Sequence, residues 1–212
     1  MCVAPDLVLA PAITALFSQG VVAAEIPRYG DVSAPLGRAL EFASGRACAK
    51  RALRELTGEP NMVVGVNEDR SPLWPTGFAG SITHTDRVCA AVTARKTEVA
   101  ALGIDAERVD ASAYDARDVF CTDAEMDLIA SSSLYAKERL SALLFSAKES
   151  FFKCQFGLTR QWIDARQIAV TLDLSQGMFR IDVASHLIVD LPPLRIARFI
   201  FREDHVITAC SM

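Results

Sequence analysis

The chain repeats one order of segments: a long helical segment is followed by a run of short strand-like segments, and this happens twice. Helices are predicted over residues 36–58 and 134–156, the first ending in a glycine with a proline two residues later. The strand candidates are "NMVVGV", "AGSITHT", "VCAAVTAR" and "VAALGIDAERV" in the first run, and "RQIAVTLDL", "GMFRIDVA", "LRIARFIF" and "VITACSM" in the second. This order predicts an α+β fold with two similar halves, residues 1–101 and 102–212, each a long helix packed on a small antiparallel sheet.

Two local patterns refine the helices. Apolar positions of the first helix recur at roughly helical spacing and are expected to face the core: Leu40, Ala43, Ala47, Ala52 and Leu56. Ahead of the second long helix, Thr122 and Glu125 have capping-box spacing, which predicts the start of a short helix there. A hairpin is predicted about "SQG", between the first two strands of the second half.

Composition limits the classes of function. Hydrophobic residues make up 51% of the 212 residues and charged residues 23%, which is typical of an ordered globular protein. The net charge of −4 gives no reason to expect a nucleic-acid partner. The six cysteines form no CxxC pair, and no run of 18 apolar residues or basic leader is present. We therefore expect a cytoplasmic protein without a transmembrane segment.

The stretch "LGIDAERV" (residues 102–109) places two carboxylates, Asp105 and Glu107, two positions apart on a predicted strand. Residues two apart on a strand point to the same face, and like charges there repel each other. Two interpretations remain open from this stretch alone. It is either an edge strand with a solvated face or one half of a site for a divalent metal ion.

The second long helix carries a further carboxylate, Glu149, with Lys153 four residues later. Both lie opposite an apolar stripe and are flanked by three aromatic residues, Phe145, Phe152 and Phe156. A solvated Glu–Lys pair and a partly buried functional pair are both compatible with this pattern. If Asp105, Glu107 and Glu149 come together, they form an all-oxygen ligand set of the kind that Mg²⁺ prefers. A carboxylate-held Mg²⁺ beside a lysine is suited to a pyrophosphate substrate.

Candidate phosphate-binding residues lie upstream. In "GSITHT", strand alternation puts Ser81 and Thr83 on the face opposite His84, which could otherwise be a core histidine. Arginines are the other candidates, since their forked hydrogen bonds suit phosphates. They are Arg38 and Arg46 on the first helix, where a solvated basic stripe is the alternative, and Arg70 in the turn-rich loop "NEDRSPLWPTG".

The motifs "RSPLWPTGFAGSITHT", "LGIDAERV" and "FSAKESFFK", in that order after an arginine-bearing helix, resemble the 4′-phosphopantetheinyl transferase superfamily. The resemblance is to the enterobactin-synthetase and surfactin-synthetase activating type, and it covers about residues 36–160. It implies a pseudo-dimer of two halves with coenzyme A in the cleft between them. It also implies that Asp105, Glu107 and Glu149 bind Mg²⁺ and that Lys153 contacts the pyrophosphate.

For the nucleotide end of coenzyme A, the resemblance implies that the N-terminal half supplies the contacts. Ser81 and His84 fall at positions that contact phosphates, and Arg38 and Arg46 fall at positions that bind the 3′-phosphate end. Many relatives carry a basic residue where this chain reads "MVVGVNED", and Arg70 is expected to compensate.

The function implied by the resemblance is Mg²⁺-dependent transfer of 4′-phosphopantetheine from coenzyme A to a serine of an apo acyl or peptidyl carrier protein. Adenosine 3′,5′-bisphosphate would be released, with Glu149 and Lys153 as the catalytic residues and the enzyme a monomer. The carrier could belong to fatty acid, siderophore, polyketide or peptide biosynthesis. Two alternatives remain: a Mg²⁺-dependent pyrophosphate hydrolase acting on a nucleotide, and a non-catalytic coenzyme A- or carrier-binding module.

Docking of a carrier would need an apolar or basic surface beside Glu149 and Lys153. The segment "GLTRQW" supplies Arg160 and Trp162 just after the second long helix. An arginine with a tryptophan is a common anchor in protein interfaces. The alternative is that Trp162 packs against the following hairpin and that Arg160 is merely solvated.

Overall fold

A computed structural model describes residues 9–17, 20–27, 35–184, 187 and 191–212, and it divides the chain into two compact units, Met1–Val99 and Ala100–Met212. The assignment of nucleotide-end binding to residues 1–101 and of the metal site to residues 102–212 stays a prediction.

The first unit contains a three-stranded antiparallel sheet of order β1-β5-β4, covered by helix α2. Strands β2 and β3 form a separate two-stranded ladder. The elements are α1 (Ala10–Leu16), β1 (Val22–Pro27), α2 (Pro35–Thr57), β2 (Gly65–Val66), β3 (Pro72–Leu73), β4 (Phe78–His84) and β5 (Val88–Arg95). The predicted strands in "AGSITHT" and "VCAAVTAR" are confirmed, whereas only Gly65 and Val66 of "NMVVGV" are in a strand.

The predicted core face of α2 is wrong in part. Leu40 is 62% exposed, and Ala43 and Ala47 are also exposed, so the core face lies along other residues. The buried positions repeat at three and four residues and are mostly small: Gly45, Cys48, Ala49, Ala52 and Leu53. A Cβ added at Gly45 would lie 2.9 Å from Cγ2 of Ile82 on β4, so the small side chains let the helix approach the sheet closely.

The second unit contains a five-stranded antiparallel sheet of order β6-β10-β9-β8-β7, on which helix α6 packs. The elements are β6 (Leu102–Arg108), α3 (Ala111–Asp115), α4 (Arg117–Phe120), α5 (Asp123–Ser131), α6 (Lys137–Thr159), a 3₁₀ turn (Ala165–Gln167), β7 (Ile168–Asp173), β8 (Met178–Val183), β9 (Ile196–Arg202) and β10 (His205–Ser211). Both units therefore have a 23-residue helix against an antiparallel sheet, which confirms the predicted α+β fold.

The local predictions for this unit are confirmed. Thr122 and Glu125 form a reciprocal capping box at the start of α5. Strands β7 and β8 form the hairpin predicted about "SQG". Within the described residues, no helix is both long enough and apolar enough to cross a membrane.

Helix α6 packs on strand β6 at a distance that leaves no room for a side chain at Gly103. A Cβ at Gly103 would lie 1.9 Å from the carbonyl oxygen of Ser150 and 2.9 Å from the Cβ of Cys154. Next to this contact, the hydroxyls of Ser146 on α6 and Thr208 on β10 are 2.9 Å apart, and the Thr208 hydroxyl also donates to the Ser146 carbonyl at 2.8 Å. These contacts fix α6 over the strand that carries the two carboxylates.

The five described cysteines are all buried. In the first unit, the Sγ of Cys48 on α2 lies 3.1 Å from the carbonyl oxygen of Cys89 on β5, and contact with Cys89 together with burial raises the Cys48 pKa. In the second unit, burial raises the pKa of Cys121 and of Cys210 to about 12 and places that of Cys154 well above its ordinary value. The thiolate, which is the reactive form, is therefore disfavoured at these sites.

Candidate functional site

Asp105 and Lys153 form the centre of the candidate site. Asp105 lies on β6 and is 3% exposed, and the ammonium of Lys153 on α6 donates to its Oδ1 at 2.5 Å. Burial alone would lower the pKa of Lys153, but the attraction of Asp105, Glu149 and Glu107 outweighs it, so the net pKa is raised. Lys153 therefore stays charged and offsets part of the negative charge around it.

The two other carboxylates share this environment, and both are half-buried. Burial, together with repulsion from Asp105 and Glu149, raises the pKa of Glu107 to about 8, against the lowering effect of Lys153. Burial also raises the pKa of Glu149. Attraction to Lys153 lowers this pKa, and repulsion from Asp105 raises it further. The structure thus brings together the four residues predicted from "LGIDAERV" and "FSAKESFFK".

The three carboxylates near Lys153 offer oxygen atoms, the donors that a hard divalent cation prefers. No three acidic, histidine or cysteine side chains within the described part of the chain converge closely enough to form a metal-binding group by geometry alone. However, three carboxylates whose charges repel each other, partly buried beside one another, are a set that a cation would stabilise. The assignment of Asp105, Glu107 and Glu149 as ligands of a metal ion stays a prediction.

One prediction concerns pH. In metal-free protein, the free energy of unfolding should fall as pH rises from 4.5 to about 8, because folded Glu107 keeps its proton over this range while unfolded Glu107 loses it. The folded state then binds more protons than the unfolded state, so each rise in pH favours unfolding. Thermal melts in EDTA across this range would measure the effect, and Glu107→Gln should flatten the profile. The exposed-site variant Glu59→Gln is the control, and parallel profiles for wild type and Glu107→Gln would contradict the assignment.

Ser81, Thr83 and His84 of "GSITHT" lie on β4, with the alternation that the sequence predicted. Ser81 and Thr83 are 4% and 2% exposed, whereas His84 at the strand end is exposed and is therefore not a core histidine. Gly80 leaves room for the indole of Trp74, since a Cβ there would lie 2.4 Å from that ring. This contact holds the "PLWPTG" loop against the strand.

The surroundings of the Arg46 side chain differ from those of an arginine on a solvated basic stripe. Its guanidinium lies 4.6 Å from the centre of the Phe42 ring, and its Nε and Nη2 atoms are buried without a hydrogen-bond partner among the described residues. Burial lowers its pKa. Buried donors of a cation normally have acceptors, so an external anion is the natural partner for this guanidinium.

The other two arginines are placed differently. Arg70 is exposed in the turn between β2 and β3, with a left-handed backbone (φ 68°) and its N–H donating to the Asn67 carbonyl at 2.9 Å. Arg38 lies in the first turn of α2, and its side chain is outside the described part of the chain. The predicted roles of Arg38, Arg46, Arg70, Ser81 and His84 toward coenzyme A stay predictions.

Sequence reasoning missed the residue next to Glu149. Lys148 is 2% exposed, and its ammonium donates to Glu125 Oε2 at 2.7 Å, to the Phe120 carbonyl at 2.7 Å and to the Ala165 carbonyl at 3.0 Å. Glu125 also accepts the N–H groups of Thr122 and Val170, at 2.7 and 2.8 Å. This buried network joins α6 to α4, α5, the 3₁₀ turn and β7. The one pattern in the sequence that pointed to this network was the capping box, which contains Glu125.

Family comparisons agree with the motif order. The family model of the 4′-phosphopantetheinyl transferase N-terminal domain matches residues 32–94, and that of the 4′-phosphopantetheinyl transferase superfamily matches residues 101–210. The second match alone covers slightly more than half of the chain, and it contains all three carboxylates and Lys153.

Curated relatives include the 4′-phosphopantetheinyl transferase Npt of Nocardia iowensis, 34% identical over 66% of this chain and 62% of that protein. The 4′-phosphopantetheinyl transferase PptT of Mycobacterium tuberculosis is 30% identical over 71% of this chain and 65% of that protein. Enterobactin synthase component D of Escherichia coli (strain K12) is 35% identical over 60% of this chain and 60% of that protein. The chain thus spans about 60–65% of the length of these relatives. A crystal structure of Thermotoga maritima holo-[acyl-carrier-protein] synthase overlaps 52% of this chain and 61% of that one at 17% identity, with a TM-score of 0.40. On the strength of the sequence matches, the chain belongs to the 4′-phosphopantetheinyl transferase superfamily.

Proposed function

We propose that the protein transfers 4′-phosphopantetheine from coenzyme A to a serine of an apo acyl or peptidyl carrier protein, in a reaction that depends on Mg²⁺. The observation that carries the proposal is the ion pair of Lys153 with Asp105, with Glu107 and Glu149 near enough to raise the Lys153 pKa, all within the region that the superfamily model matches. The proposal includes a cytoplasmic, monomeric enzyme.

In the proposed reaction, the serine oxygen bonds to the phosphorus that carries the pantetheine arm. The bond from that phosphorus to the bridging oxygen breaks, and its electron pair leaves with adenosine 3′,5′-bisphosphate. Glu149 takes the serine proton, directly or through a water. Lys153 stabilises negative charge on the phosphates. Mg²⁺ held by Asp105, Glu107 and Glu149 would supply further charge neutralisation.

Binding of the nucleotide end is assigned to the first unit. Arg46 supports this assignment, because its buried guanidinium nitrogens have no acceptor among the described residues and would be satisfied by a phosphate. Arg38, Arg70, Ser81 and His84 are proposed to contribute further phosphate contacts.

The decisive experiment incubates purified protein with coenzyme A, Mg²⁺ and a panel of apo carriers, and reads each carrier by intact mass. The proposal expects a mass gain of one phosphopantetheine on at least one carrier. Breakdown of coenzyme A without any carrier would instead support the pyrophosphate hydrolase. Binding of coenzyme A without turnover on any carrier would support the non-catalytic module.

A second prediction concerns the site carboxylates. Glu149→Gln and Asp105→Asn should both remove most of the Mg²⁺-dependent transfer, because each deletes an anionic oxygen while keeping the side-chain shape. Glu149→Gln should melt at or slightly above the wild-type temperature, since it removes a repelled carboxylate, whereas Asp105→Asn should melt lower because Lys153 loses its charged partner. Glu138→Gln, in the first turn of the same helix, is the control. Wild-type rates for both site variants across a Mg²⁺ titration would remove these residues from the site.

A third prediction concerns the coenzyme. Arg46→Ala and His84→Ala should weaken binding of coenzyme A more than binding of dephospho-coenzyme A, if both side chains contact the 3′-phosphate. A charge-assisted contact contributes roughly 1.5–3 kcal/mol, which calorimetry resolves. Arg54→Ala, at an exposed position of the same helix, should change neither affinity. Equal losses for the two ligands would instead assign Arg46 and His84 to the pyrophosphate or to the scaffold.

A further inference from the structure

Two buried hydroxyl groups, those of Ser146 on α6 and Thr208 on β10, join the helix to the sheet next to the candidate site. Both side chains are 0% exposed. Their oxygens are 2.9 Å apart, and the Thr208 hydroxyl also donates to the Ser146 carbonyl at 2.8 Å. Because a threonine hydroxyl has a single hydrogen, the hydrogen between the two hydroxyls belongs to Ser146. Each residue therefore donates to the other, and we call this arrangement the hydroxyl pair.

On the sheet, the hydroxyl pair lies beside Asp105. Thr208 is directly opposite Asp105 in the antiparallel pairing of β10 with β6. Opposite residues in such a pairing point to the same face, with Cβ atoms about 4.5–5.5 Å apart. The next opposite residues on this face are Cys210 and Gly103, and the carbonyl of Ser150 on α6 lies against Gly103. Thr208 and Asp105 therefore both face α6.

On the helix, the hydroxyl pair lies on the side that carries the other site residues. Ser146 precedes Glu149 by three residues and Lys153 by seven. Residues three, four and seven apart share one side of a helix. From this side the Lys153 ammonium reaches Asp105 Oδ1 at 2.5 Å. One member of the hydroxyl pair thus neighbours Asp105 on the sheet, and the other shares the helix side of Lys153.

The hydroxyl pair and Gly103 act on α6 in different ways. At Gly103 the helix backbone lies so close to the strand that α6 cannot come nearer. A steric contact of this kind opposes approach but does not prevent the helix from moving away. The two hydrogen bonds do prevent it, because a hydrogen bond is lost once its heavy atoms separate beyond about 3.5 Å. Since both hydroxyls are fully buried, a broken bond would also leave an unsatisfied polar group.

We propose that Ser146 and Thr208 are positioning residues for transfer, which hold α6 against β6 so that Lys153 and Glu149 stay beside Asp105. The inference rests on the proposed function, and neither hydroxyl touches a substrate in it. Without the hydroxyl pair, α6 can move away from β6, and a displacement of about 1 Å at a reacting centre reduces a rate about 10²-fold. The chemical step should be affected rather than binding of the nucleotide, which is assigned to the first unit.

Three substitutions separate the hydroxyl from the rest of the side chain. Thr208→Val keeps the shape and deletes the hydroxyl, so kcat should fall roughly 10- to 100-fold while the KM for coenzyme A changes less than about twofold. Thr208→Ser keeps the hydroxyl and should retain kcat within about threefold of wild type. Ser146→Ala leaves the bond from Thr208 to the backbone carbonyl in place, so its kcat should lie between those two.

Ser141→Ala is the matched control. The Ser141 hydroxyl is equally buried, and it donates at 2.8 Å to the Lys137 carbonyl within α6. This variant should melt at a lower temperature with an unchanged kcat, because the lost bond does not join the helix to the sheet. A wild-type kcat in Thr208→Val would overturn the proposal, and so would an equal loss of kcat in Ser141→Ala or in Thr208→Ser. If Thr208→Val does not fold, Ser146→Ala against Ser141→Ala makes the same comparison.

Crystal structures of the wild type and Thr208→Val test the positioning without any transfer assay. The Cα atoms of Asp105 and Lys153 should lie farther apart in the variant, by about 0.5–1 Å. An unchanged separation would overturn the inference even where the wild type modifies a carrier. If the wild type modifies no carrier but the separation increases, the proposed function fails while the link between the hydroxyl pair and Lys153 stands.

Discussion

Lys148→Met should destabilise the protein by about 3–5 kcal/mol, the cost typical of removing one partner from a buried ion pair. The substitution leaves the Glu125 carboxylate, 3% exposed, without its cation and leaves the carbonyls of Phe120 and Ala165 without their donor. Urea unfolding of wild type and variant would measure the difference. Lys137→Met, at the exposed start of the same helix, should change stability by less than about 0.5 kcal/mol.

A double variant distinguishes an unpaired charge from lost packing. Lys148→Met with Glu125→Gln removes both charges and keeps one oxygen acceptor, which can bond the N–H of Thr122 or that of Val170 but not both, because these two groups bond to different oxygens of Glu125. It should recover at least half of the stability lost in the single variant. A double variant no more stable than Lys148→Met alone would show that the loss came from the removed hydrogen bonds and packing rather than from the charge.

Gly103→Ala should reduce transfer more than 100-fold and also lower stability. The added Cβ would lie 1.9 Å from the Ser150 carbonyl oxygen, which is helix backbone and cannot rotate away, so α6 must move from β6. That movement carries Glu149 and Lys153 away from Asp105, and displacements of about 1 Å at a reacting centre reduce rates by about 10²-fold. Single-turnover transfer and thermal melts would measure the two effects.

Gly157→Ala is the matched control for that variant. Gly157 lies on the same helix, and a Cβ added there would meet no heavy atom within 4 Å. The substitution should leave transfer unchanged and raise stability by roughly 0.5–1 kcal/mol, the helix preference of alanine over glycine. If Gly103→Ala behaved in the same way, the close approach of α6 to β6 would not position the site.

The parts of the fold that the sequence predicts well are those coded by neighbouring residues. The capping box at Thr122, the hairpin about "SQG" and strands β4 and β5 each depend on a pattern within ten residues. The face of α2 does not, because its buried side is mostly glycine, cysteine and alanine and its exposed side carries alanines and Leu40, so hydropathy does not mark the buried side. The sheet against which α2 packs determines which side of the helix is buried.

At the candidate site too, neighbouring residues predict part of the arrangement and tertiary packing determines the rest. The spacing of Asp105 and Glu107, and of Glu149 and Lys153, identifies which side chains share a face, and the structure brings all four together. Which carboxylate pairs with Lys153 depends on the register of α6 over β6, which Gly103 sets across almost fifty residues of chain. The exposure of Trp162 and the buried pairing of Lys148 with Glu125 are likewise tertiary properties.

The burial of the five cysteines that the structure describes makes their alkylation a measure of unfolding of the surrounding structure. A thiol reagent at neutral pH modifies a buried cysteine with a raised pKa only when the surrounding structure unfolds. Cys48 and Cys89 belong to the first unit, and Cys121, Cys154 and Cys210 to the second. Pulsed iodoacetamide labelling followed by peptide mass spectrometry would therefore time the opening of each unit separately in the same sample, without a mutation or a fluorescent probe.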